Sequence, residues 1–103
     1  MRRGYYVRIT SFRVDEDMKT PDLSTLAMLS QPCGIWEGWL TAHVVAGAHI
    51  DLTARYRHGE VCLGRFRSAR IIRISGQYVL TKHFLYALFR VPPSRKESFG
   101  KFA

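Results

Sequence analysis

The sequence predicts a mainly β or α+β fold: a small antiparallel, partly open β-barrel of five or six strands with one or two short helices. Three observations lead there. Apolar and polar residues alternate with period two in several short segments, the signature of half-buried strands. Glycine- and proline-containing turn signals separate these segments at short intervals. A curled sheet then deals with the exposed edges that so many short strands would otherwise leave.

The first strand is YYVRITSFRV, Tyr5 to Val14, with Tyr5, Val7 and Ile9 on one face and Tyr6, Arg8 and Thr10 on the other. DEDMKTPD follows as a loop, broken by Pro21 and rich in acids: Asp15, Glu16, Asp17 and Asp22 are half of the chain's eight. Asp22 is placed to cap a short helix over DLSTLAML, with Leu23, Leu26 and Ala27 on its apolar stripe. Two turns of helix do not hold themselves together, so this one needs packing partners. Gln31, Pro32 and Gly34 end it. Trp36 and Trp39 then read as a core anchor at the start of a sheet, with a stacking platform for a base or peptide as the alternative.

LTAHVV, Leu40 to Val45, is predicted as the next strand and Ala46 to Ala48 as a turn. HIDLTARYR has the cleanest alternation: Ile50, Leu52, Ala54 and Tyr56 face one way, and Asp51, Thr53, Arg55 and Arg57 the other. His58 and Gly59 form a two-residue connection into EVCLGRF. There Val61 and Leu63 suit the inner face, Cys62 the opposite one, and Gly64 marks a bulge. ARIIRI and GQYVLT are strands joined by a turn at Ser75 and Gly76. KHFLYALFRV fits either a helix capped by Thr81 or a strand. Helix is the preferred reading, because burying both faces of a strand is costly in so small a domain. Pro92 and Pro93 end that element either way. Residues 1–93 are read as a single compact β-rich domain and 94–103 as a basic C-terminal tail.

The charge balance narrows the partners. Sixteen Lys plus Arg face eight Asp plus Glu, a net charge of +8, and twelve of the sixteen are arginine. Arginine forks onto phosphate and stacks on flat rings, so an anionic partner is expected. Cys33 and Cys62 are too few for a disulfide scaffold and form no CxxC zinc motif; two buried free thiols are expected. No signal-peptide core is recognised and no run is long enough to cross a bilayer, so an intracellular, soluble protein without membrane contact is expected.

His43, His49, His58 and His83 form neither HxxH nor HExxH, and no phosphate loop or nucleophile elbow is present. No catalytic residue, metal site or cofactor is assigned. His43, His49 and Asp51 could come together, but their spacing selects no metal. The leading function is sequence-tolerant binding of DNA or RNA through an arginine-rich sheet face. Arg55, Arg57, Arg65, Arg67, Arg70 and Arg73 are its phosphate contacts, and Arg95 and Lys96, with Arg2 and Arg3, extend it. The alternative is a non-enzymatic regulator or inhibitor that binds a protein partner, such as an acidic protein or a second copy, through Trp36, Trp39, Phe99 and Phe102. A third is a small metal-independent ribonuclease using Glu60, His58, His83, Arg65 and Arg67.

Overall fold

A computed structural model describes residues 5–14 and 22–92. Among them seven strands form one antiparallel sheet: β1 (Tyr6–Arg13), β2 (Pro32–Leu40), β3 (His49–Arg57), β4 (Glu60–Arg70), β5 (Arg73–Ser75), β6 (Tyr78–Leu80) and β7 (Phe84–Arg90). Their spatial order is β4-β3-β2-β1-β7-β6-β5. The helix α1 (Leu23–Leu29) lies between β1 and β2 in sequence.

That order forces the sheet to curl. β4 and β5 stand at opposite edges, yet only Ile71 and Ile72 separate them along the chain. A residue spans at most about 3.5 Å, so the two edges must approach each other. The Ile72 amide donates to the Leu80 carbonyl at 2.7 Å, and the Ile71 amide to Ala48 at 2.7 Å, anchoring the corner on both sides. Phe66 of β4 meets Tyr86 of β7 across the interior, with ring centroids 5.8 Å apart. β5 pairs with β6 and not with β4, so the barrel remains open, as the sequence predicts.

The concave face holds the main core: Val7, Ile9, Leu40, Ile50, Leu52, Ala54, Ile71, Val79 and Tyr86. A column of small residues runs across it, Val7 opposite Gly38, Gly38 opposite Ala54, and Ala54 opposite Gly64. At Gly38 the β3 backbone comes so close that no Cβ fits. On the convex face, Leu23, Leu26 and Ala27 of α1 pack with Val14 and Leu85. Each fully buried aliphatic side chain contributes roughly 1.5–3 kcal/mol, and this packing holds so short a helix. Asp22 caps it as expected, accepting from the Ser24 amide at 3.2 Å and from the Ser24 and Thr25 hydroxyls at 2.9 Å. Those bonds hold its carboxyl below the ordinary carboxylate range.

Several local expectations are corrected. Residues 84–90 form a strand, not a helix. The barrel interior covers Tyr86 and α1 covers Leu85, so the two-sided burial that argued against a strand is supplied by two separate clusters. Thr81 caps no helix; its hydroxyl donates to the Phe84 carbonyl at 3.0 Å in the β6–β7 turn. The strand near the tryptophans is Pro32–Leu40, and Thr41 to Ala48 form a connection. The β5–β6 turn falls at Gly76 and Gln77, one residue later than predicted, with Gly76 at φ 60°. Cys33 and Cys62 are free, but exposed rather than buried. The predicted β3–β4 connection is confirmed: His58 (φ 54°) and Gly59 (φ 82°) are both left-handed, as a two-residue hairpin turn of this type requires.

Burial pushes the Tyr86 hydroxyl up to about 12. The unfolded chain ionises this tyrosine near pH 10, so its contribution to stability is complete below that pH. It is lost as the pH rises toward 12. Alkaline titration followed by phenolate absorbance and far-ultraviolet circular dichroism should show unfolding tied to a late-ionising tyrosine, and Tyr86→Phe should remove that component. An unchanged alkaline transition in Tyr86→Phe would exclude it.

Candidate nucleic-acid interface

Register decides which arginines share a surface. An extra residue in β3, at Arg55, shifts the β2–β3 ladder between Gly38, opposite Ala54, and Glu37, opposite Tyr56. Beyond that bulge the alternation reverses. Tyr56, predicted to face inward, lies opposite Glu37 on the convex side. Arg57, predicted to share a face with Arg55, instead lies opposite Trp36, with its guanidinium 4.9 Å from that ring's centroid. Arg55 and Arg57 therefore do not form one outward row.

The convex side of the β3–β4 hairpin is assembled from β4 and its partners. Alternation along β4 sets Val61, Leu63, Arg65 and Arg67 on one side. Val61 lies opposite Tyr56, Arg65 opposite Thr53 and Arg67 opposite Asp51. A second shift places Arg70 opposite His49, restoring it to the side of Asp51 and Arg67 although its number has the other parity. Ser68 secures this end: its hydroxyl accepts from the Ile50 amide at 2.8 Å and donates to the Ala69 carbonyl at 2.6 Å. Val61 and Leu63, expected inside, are 71% and 73% exposed because β4 is an edge strand whose convex side nothing covers among the described residues.

The chain's own acids neutralise part of this surface. Arg65 makes a two-pronged bond to Asp51, both contacts at 2.9 Å. The Arg65 guanidinium holds the Asp51 carboxyl below its usual range, and the partnership raises the Arg65 value. Arg8 bonds Glu37 at 3.2 Å on the same side of the sheet. Arg67 and Arg70 are exposed and form no ion pair among the described residues, although Arg70 also donates to the Gly47 carbonyl at 3.0 Å. The field is thus positive but smaller than composition alone implies.

The remaining candidates form no single group. Arg73 lies on β5, opposite Leu80 and round the Ile71–Ile72 corner from Arg70, and acts electrostatically on Asp22. Arg2, Arg3, Arg95, Lys96, Phe99 and Phe102 lie outside the described residues. Trp36 packs inward on Phe66 at 5.1 Å, whereas Trp39 meets Tyr6 edge-on at 5.1 Å on the convex side. The two tryptophans therefore present no common surface. His58 and Glu60 sit at the β3–β4 tip and His83 just before β7, with β2 and β1 between β3 and β7 in the sheet order. Among the described residues no group of three or more His, Cys, Asp or Glu side chains is placed to hold a metal ion. No helix among them is long and apolar enough to cross a membrane.

The side chains that the sequence places on the wrong face are Tyr56, Arg57, Val61 and Leu63. The extra residue at Arg55 carries no glycine or proline mark of its own, but the β3–β4 ladder shifts between Val61 and Gly64, beside the glycine expected to mark a bulge. Comparison with family models, with curated proteins and with solved structures finds no match for this chain. Together, fold and site define a small open β-barrel with a partly neutralised basic face.

Proposed function

We propose that this protein binds nucleic acid, with little dependence on sequence, through the convex face of the β3–β4 hairpin. The supporting observation is the row on β4 and its neighbour: exposed Arg67 and Arg70 beside an Arg65 whose fork is already held in place by Asp51. Of the five arginines from His49 to Arg70, Arg57 lies on the concave side and Arg65 is held by Asp51, which leaves Arg67 and Arg70 as the exposed cations of this row. Guanidinium groups in such a row neutralise phosphates and release counterions, so affinity falls steeply with salt. Backbone contacts of this kind position a polyanion and carry no base preference of their own.

The test is a salt series of binding constants for a labelled duplex, a single strand and an RNA hairpin. The logarithm of affinity should fall linearly with the logarithm of salt concentration. Arg67→Gln with Arg70→Gln should flatten the slope by about two units. Asp51→Asn should steepen it by about one, because Arg65 is released for phosphate. Arg57→Gln, on the concave side, should change it little. Absence of binding at low salt, or slopes indifferent to Arg67 and Arg70, would overturn the reading.

A further inference from the structure

We infer that the ligand of this face is an unpaired strand, with Val61 and Leu63 beside Tyr56 receiving bases while Arg67 and Arg70 receive phosphates. The inference rests on the nucleic-acid reading above and specifies its substrate class. Along β4 the convex row is Val61, Leu63, Arg65, Arg67: two apolar side chains toward the hairpin tip, then two cations. Same-side residues on a strand are about 6.6 Å apart, so the row extends about 20 Å. Val61 and Leu63 are 71% and 73% exposed, and Tyr56 lies opposite Val61 in register.

Apolar surface of this kind is stabilised only by something that covers it. A duplex offers phosphates outward and keeps its base faces stacked; an unpaired strand offers both flat apolar bases and phosphates. The adjoining cations match the second requirement and the apolar pair the first. A second copy of the chain would bring another +8 to the same place, so like charge opposes self-association there. Charge complementarity thus favours the single strand over a dimer.

The experiment compares an ordinary single strand with an abasic strand of equal length, which keeps every phosphate and lacks the bases, and with a duplex. The protein should bind the ordinary strand at least about tenfold more tightly than the abasic one, in line with the worth of one stacked base. The salt slopes of the two strands should be the same. The double variant Val61→Ala/Leu63→Ala should narrow the gap between the two strands, with an unchanged melting curve because both side chains are exposed, and adding Tyr56→Ala should close the gap. Equal affinity for ordinary and abasic strands, or tighter binding of the duplex, sinks this inference while leaving the nucleic-acid reading intact. No salt-dependent binding of any of the three sinks that reading as well. A dimer in sedimentation that the double variant dissociates would assign Val61 and Leu63 to a second copy and overturn the inference.

Discussion

Gly38→Ala is expected to destabilise the protein by about 3 kcal/mol or more, at or above the upper end of ordinary overpacking. Gly38 is buried in β2 between Val7 of β1 and Ala54 of β3. A Cβ there would overlap the Thr53 carbonyl oxygen and lie 2.9 Å from the Ala54 Cα. Both obstacles are backbone, so no side chain can rotate away. Relief requires β2 and β3 to separate, at the cost of ladder hydrogen bonds in the middle of the sheet. Gly64→Ala is the control: a Cβ at Gly64 meets nothing within 4 Å, and its stability should stay close to that of the unaltered protein. Thermal melts of the two variants check this. Equal melting temperatures would mean that the β2–β3 register is wrong, and with it the placement of Tyr56 and Arg57.

Ile9→Ala should cost roughly 2–5 kcal/mol, the range for deleting a large aliphatic side chain from a packed core. Ile9 is 0% exposed and stands on β1, opposite Trp36 of β2 on one side and Leu88 of β7 on the other. It touches the cluster that joins both halves of the curled sheet, so the cavity cannot be closed by moving one strand. Domains of this size have about 5–15 kcal/mol in total. The melting temperature should therefore fall by roughly 10–25 °C. Ile9→Val, which removes one methylene, should cost about 0.5–1.5 kcal/mol. Denaturant titration gives both values. A loss under about 1 kcal/mol for Ile9→Ala would show that the interior is not closely packed around β1.

The same physics explains how much could be read before any coordinates. Period-two alternation reveals β1 and the first half of β3, because a half-buried strand has one wet side and one dry side. Asp22 and the left-handed His58–Gly59 pair are local devices, satisfied within a few residues, so their chemistry is visible locally. β7 is different: its first five residues, FLYAL, have no wet side, since the barrel interior covers one face and α1 the other. Alternation vanishes when both faces are dry, and helix and strand then look alike.

By itself, the sequence determined an antiparallel, open-barrel β fold, the helix capped by Asp22, and a strong excess of arginine, and it left the element before Pro92 undecided between helix and strand. Tertiary structure alone decided which arginines stand together. The bulge at Arg55 set Tyr56 on the convex side and Arg57 on the concave side, a further shift brought Arg70 beside Arg67, and the corner after β4 set Arg73 where it acts on Asp22. Composition counts charges without position, and a one-residue change of register moves every later side chain to the opposite face.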